Sequence, residues 1–359
     1  MASKQTKRVT MADVASRAGV TKATVSYVLS GKDEAQMISE LTRNRVKKIA
    51  QEIGYQSAYA ARALATQRAE AIGFILSDQM PPSMAEYVCS YCIPGLEQAC
   101  KARGYALLVS SENMSDADSF VVPQSVGQKR VDGLVFIHVD QPAIVEKFLH
   151  FGVPCVCLGA DEEIGRLIPV VDADLLNGWL DAVKYAASLG HRKIGFITPT
   201  ATHGCIAQIE SLANKVRACR ATAECTVRPF PLNRNVGWSD LENVSYIDIW
   251  NSVPAVQRPT LLMGPEHVLP HVLQDMHRRG MHCPRDLSLI ATGEASPTRW
   301  TAPMLTAVDV NLPEQIKTAV NLLIDHLESS EVMTPGLRRC ELPCRLLIRE
   351  SVTVPAASE

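Results

Sequence analysis

From Ala71 onward the chain alternates short apolar runs with helical stretches, and this alternation most constrains the fold. AIGFILSD, YALLVSSE, VDGLVFIHVD, VPCVCLGA and RLIPVVDAD form a first group; KIGFITPT, CTVRPFPL, PTLLMGP and LSLIATGE form a second. A run that is apolar at consecutive positions has no face to give to water. Both of its faces must be covered, as happens when helices flank a parallel sheet. The pattern predicts two α/β lobes in tandem with a cleft between them, ligand groups falling at the carboxyl ends of the strands. The length of 359 residues suits two or three domains. With 47% hydrophobic and 21% charged residues, wholesale disorder and a small disulfide-stapled module are both excluded.

Charge divides the chain further. Twelve Lys/Arg face five acids through residue 68, so the head carries +7; the remaining 24 basic and 33 acidic residues leave the body at −9 and the whole at −2. A basic head on an acidic body points to a polyanionic partner for the head alone. No apolar stretch approaches the ~18–20 residues of a membrane span, and the polar start MASKQTKRVT has no signal core behind it. The expectation is a cytoplasmic protein with no membrane contact. The eleven cysteines include one CxxC, Cys89 to Cys92, with no second pair beside it. They read as reduced, mostly buried thiols, Cys155 and Cys157 sharing one strand face, and neither a metal site nor a cofactor is expected.

The head reads as three helices. Thr10 and Asp13 resemble a capping box opening a helix over Met11 to Ala18, and Gly19 ends it where a positive φ is easily adopted. Thr21 caps a second helix whose Val25, Val28 and Leu29 lie on one side. A third helix follows a Ser39 cap, with Val46, Ile49, Ala50 and Ile53 on one face and Gly54 closing it. Two short helices separated by a glycine turn form a helix-turn-helix, whose second helix enters a major groove of double-stranded DNA. Its early residues face the base edges: Lys22 can donate to guanine, Ala23 offers an apolar contact to a thymine methyl, and Tyr27 can reach a base or a phosphate. Thr10, Thr21, Thr24, Ser26 and Tyr55 suit phosphate contacts, which position the domain without reading sequence. Met11, Ser30 and Ser39 complete the expected interface.

The run VTMADVASRAGVTKATVSYVLSGKD, continuing through LTRNRVKKIAQEIGY, resembles the DNA-binding signature of the lactose/galactose-repressor (LacI/GalR) family of bacterial transcription regulators. The resemblance implies that QSAYAARALATQRAEAIG is a hinge segment that becomes helical on DNA. Arg62 and Leu64 hold the family's arginine and leucine positions, Leu64 serving as a wedge in the minor groove. Ser57 and Ala58 stand where the family usually has Pro and Asn.

RVDGLVFI (130–137), SLGHRKIGFI (188–197), RRGMHCPRDLSLI (278–290) and LLIRESV (346–352) are similar to the family's effector-binding core. The implied fold is α/β: an all-α helix-turn-helix head (1–56), a hinge helix (57–69), and a two-lobed, periplasmic-binding-protein-like (type I) body of parallel sheets. The first lobe is expected over 70–170 plus about 298–330, the second over 171–297 plus about 331–355. Crossings between them are expected near 168–172, 295–300 and 328–335. Pro94, inside the helical stretch 85–103, should kink or break that helix.

The body departs from the family where a ligand would be gripped. Pro265-Glu266 replaces an Asn-Asp pair, the family's acidic turn appears as Thr292-Gly293-Glu294, and His203 stands in a segment lacking the usual Arg. Met80-Pro81-Pro82-Ser83-Met84 replaces an aromatic pair. The cleft candidates are Asp78, His138, Asp140, His203, Trp238, Glu266 and Glu294. A sugar, another small molecule, and no effector or a protein partner remain open as alternatives. The resulting expectation is a homodimeric transcriptional repressor on a near-palindromic operator, not an enzyme. The alternative is an effector-independent regulator with a degenerate cleft. No nucleophile elbow, P-loop or dinucleotide fingerprint supports catalysis.

Overall fold

The computed structural model describes residues 9–30, 37–55, 68–78, 82–114, 116–137, 139, 141–199, 203–230, 236–329 and 339–355. Two compact units divide the chain, Met1–Glu70 and Ala71–Glu359. In the first, α1 (Met11–Ala18), α2 (Lys22–Ser30) and α3 (Glu40–Glu52) close around Val14, Ala18, Val25, Val28, Val46 and Ala50. The helix ends are local chemistry. Asp13 accepts from the Thr10 N–H and hydroxyl at 2.8 and 2.7 Å. Gly19 takes φ +60° behind α1. Thr21 Oγ1 accepts the Thr24 N–H at 3.1 Å, and Ser39 Oγ accepts the Thr42 N–H at 3.4 Å.

The second unit holds two six-stranded sheets. The first contains β1 (Ala71–Ser77), β2 (Ala106–Glu112), β3 (Gly133–Ile137), β4 (Cys155–Leu158), β5 (Val170–Ala173) and β11 (Arg339–Leu342) in the order β11-β5-β4-β3-β1-β2, all parallel. The second contains β6 (Lys193–Ile197), β7 (Thr226–Phe230), β8 (Leu261–Gly264), β9 (Ser288–Ala291), β10 (Thr306–Asp309) and β12 (Arg345–Leu347) in the order β12-β10-β9-β8-β6-β7. Only β12 runs antiparallel to its neighbour. The central strands β3, β4, β8 and β9 are buried along their whole length, which explains their uninterrupted apolar sequence. In both sheets the strand order reverses direction beside the first strand, so loops open a crevice at the carboxyl ends there.

The crossings fall later than the sequence suggested. The first is at Asp174, between β5 and α6 (Leu175–Ser188). β10, placed by the sequence with the first lobe, extends the second sheet by pairing with β9 and β12. The second crossing therefore lies at 310–311, ahead of α7 (Leu312–Glu328), which packs in the first-lobe core through Ile316, Val320 and Leu323. The third lies at Pro343–Cys344, between β11 and β12. The strands TAVD, RCEL and RLL are only three or four residues long and lack an apolar run, which hides them from periodicity. Pro94 does not break its helix. α4 (Pro82–Tyr87) passes through one wide turn, Val88–Cys92, into α5 (Ile93–Ala102), and the Ile93 N–H reaches back to the Val88 carbonyl. This π-type turn takes up the clash that a proline ring makes with the preceding turn.

The three crossings sit together. The Asp174 N–H donates to the Leu342 carbonyl at 2.9 Å. A Cβ on Gly178 would stand 2.6 Å from Cys344 Cβ and 3.0 Å from Val308 Cγ1. Burial, then the nearby Asp174, Asp309 and Asp172 carboxylates, push the Cys344 thiol up to about 11. We expect Gly178→Ala to lower the unfolding free energy by about 1–3 kcal/mol in a denaturant titration, as overpacking does.

Candidate DNA-reading head and interlobe site

On α2 the sequence separates two faces. Val25 and Val28 are buried against α1 and α3, while Lys22, Ala23 and Tyr27 are exposed on the opposite side with Ser26 partly exposed between them. Positions i, i+1, i+4 and i+5 share that side because 3.6 residues complete a turn. Lys22 and Ala23 thus stand at the start of a solvent-facing helix, where a groove-entering helix makes its base contacts. Arg17, Arg45, Lys47 and Lys48 are also exposed on this unit and provide the charge that draws in a phosphate backbone.

The remaining head residues divide by role. Thr10, Thr21, Thr24 and Ser39 spend hydroxyl hydrogen bonds on helix caps, Thr21 and Thr24 lying 2.9 Å apart through their hydroxyls. Met11 and Tyr55 pack partly buried against the head core, so their apolar surface serves folding first. Arg62 and Leu64 lie outside the described residues, as does the side chain of Ser30.

In the body, the candidate residues follow strand ends: Asp78 after β1, Glu266 after β8 and Glu294 after β9. His138 and Asp140 lie outside the described residues, as do the side chains of His203 and Trp238. Asp78 is exposed. Glu294 is the most constrained of the set. Its Oε1 accepts from Arg299 at 2.7 Å and Arg349 at 2.8 Å, and its Oε2 from Thr298 at 2.7 Å and Arg349 at 2.9 Å. Burial works to raise this carboxyl's pKa, but the bonds from Arg349 and Thr298 outweigh it and hold the group below the usual range. With both oxygens occupied, Glu294 locks β12's end to the short helix Ser296–Trp300.

Two residues absent from the sequence-based candidates join the lobes here. Tyr91 Oη, from the first lobe, accepts the Ser296 N–H of the second. Its ring lies 5.4 Å from that of Tyr87, at 40°. The pair is spaced i, i+4 around the wide turn, a signal the sequence held one helix beyond the methionine-rich segment where aromatics were sought. Burial, with Cys92 and Glu266 nearby, pushes the Tyr87 hydroxyl well above its ordinary range and keeps it protonated.

Residues 10–57 match the family of bacterial regulatory proteins named for lacI, and residues 183–352 match a periplasmic binding protein-like domain. The HTH-type transcriptional repressor CytR of Escherichia coli K12 is 26% identical over 353 residues, covering 98% of both chains. The repressor PurR of Shigella sonnei is 25% identical, covering 96% of both. The chain therefore joins a lacI-type DNA-binding head to a periplasmic binding protein-like body. It is a DNA-binding transcriptional regulator with an effector-binding domain. The fold is shared with the Lac repressor dimer bound to operator and an anti-inducer, at a TM-score of 0.71 and 19% identity over 97% of this chain and 100% of that one. It is shared also with a regulator CelR in complex with cellobiose, at 0.59 and 20% over 96% and 100%.

Glu294 gives a pH test. Its folded-state pKa is depressed, so the stability it contributes is present above the ordinary carboxyl range and is lost as pH falls through the folded value. Arg349→Met removes two of the four bonds and leaves the carboxylate buried. We expect a loss of roughly 3 kcal/mol at neutral pH, measured by chemical denaturation, and a smaller loss at pH 3, where the wild-type contribution has itself declined.

Proposed function

We propose that this regulator is a cytoplasmic repressor that binds a near-palindromic operator as a homodimer, its affinity set by a small molecule held between the two lobes. The observation that carries the DNA reading is the exposed Lys22-Ala23-Tyr27 face of α2 on a basic head. Two such heads related by a two-fold axis require half-sites one helical turn apart. The relatives named above are themselves repressors, and the Lac repressor structure is a dimer on operator DNA. The output is occupancy of a promoter, with no chemical turnover. Among the described residues, no group of His, Cys, Asp and Glu could hold a metal ion, and no helix is long and apolar enough to cross a membrane.

An effector changes DNA affinity only by binding one lobe arrangement better than another, a coupling typically worth ~1–3 kcal/mol. The short crossings and the Tyr91–Ser296 bond are the elements such a change must strain or relieve. The test of the DNA reading is selection of bound sequences from a random duplex pool with the full-length protein. A palindrome with a flexible central step is the expected product, and enrichment of nothing would defeat the proposal. Within that palindrome, Lys22→Ala should relax preference at one position per half-site at a cost of about 1–3 kcal/mol. A uniform loss across all sequences would assign Lys22 to a phosphate.

A further inference from the structure

The acidic turn that the family resemblance implies after β9 is altered in this chain, and the structure shows what fills the space. At Gly293 an added Cβ would lie 2.5 Å from Glu266 Oε2 and 3.0 Å from its carboxyl carbon. The Glu266 carboxylate, arriving from the end of β8, therefore rests against the β9 turn and needs the missing side chain there. Three residues on, the Ser296 N–H is bonded to Tyr91, which brings the Tyr87–Tyr91 pair of the first lobe to the same place. Glu266 also lies close enough to Tyr87 to act on its hydroxyl.

Among the described residues, Glu266 receives no hydrogen bond and no ion pair. Its neighbour Glu294 is different: it takes four bonds, including both arginines of this end of the lobe, Arg299 and Arg349. Those two guanidinium groups are therefore spent on the buried carboxylate and do not balance Glu266. A half-buried carboxylate with no donor among the described residues, near the Tyr87 phenol whose ring pairs with Tyr91, favours a cation that can accept Coulomb attraction and aromatic contact together. It disfavours a phosphate or carboxylate ligand by like-charge repulsion.

We propose that Glu266, seated against Gly293 and facing the tyrosine pair, is the specificity-determining residue of the interlobe site and selects an effector that carries a protonated amine. This rests on the reading of the interlobe crevice as the effector site. Glu266 accepts the ammonium protons, and Tyr87 and Tyr91 supply the ring faces.

The experiment is calorimetric titration of the full-length protein with three sets of probes: putrescine and glucosamine as amines, glucose and ribose as neutral compounds, and glucose 6-phosphate as an anion. Binding of an amine at least tenfold tighter than glucose is expected. Glu266→Gln should weaken that binding at least tenfold without changing the unfolding midpoint. Gly293→Ala should do the same by pushing the carboxylate off its seat. Tighter binding of glucose, ribose or the phosphate, or amine binding unchanged in both variants, would overturn this inference and leave the crevice as the effector site. Binding of no probe of any class would overturn both.

Discussion

Three short crossings hold the body together, and the rest of the molecule is arranged around them. Helix α7 returns to the first lobe, and β11 and β12 divide between the two sheets. The crossings converge where Asp174 bonds to Leu342 and Gly178 admits Cys344 against Val308. The connections are one or two residues long and are bonded side by side where Asp174 meets Leu342. Hinges between packed α/β lobes have this form. A regulator needs such a bistable joint, because a ligand shifts an equilibrium only through differential affinity for two states.

Much of this was legible in the sequence, for identifiable reasons. The nine runs became nine strands, most plainly at β3, β4, β8 and β9, where burial on both faces leaves no polar alternation. The head was readable to the residue at Met11–Ala18, since Thr10, Asp13, Gly19 and Thr21 are caps with fixed geometry. Three strands escaped notice. TAVD, RCEL and RLL are too short for periodicity to act on, and they take their place from neighbours far along the chain. The crossing positions moved with them. Pro94 was expected to kink or break its helix; the chain distorts instead through a wide turn that begins six residues earlier, and the helix continues.

The candidate crevice was legible in outline and altered in detail. Strand ends pointed to Asp78, Glu266 and Glu294, and the structure sets two of these in contrasting states. Glu294 is a structural anchor with four donors, so its charge is consumed in place. Glu266 occupies the room left by Gly293, a relation between residues 27 positions apart that no local pattern encodes. Tyr87 and Tyr91 carried a plain i, i+4 signal, but they lie just beyond the segment 80–84 and were not among the cleft candidates.

The central claim is that the basic head reads sequence and does not merely hold phosphates. It is tested most directly by the ratio of affinities of the full-length protein for its selected palindrome and for a shuffled duplex of equal length, followed across a salt series. Specific readers keep an advantage of roughly 10³-fold or more at physiological salt, because base contacts do not release counterions. The account predicts that this ratio persists as salt rises while both affinities fall. Convergence of the two duplexes to one affinity, with a common salt slope, would contradict it.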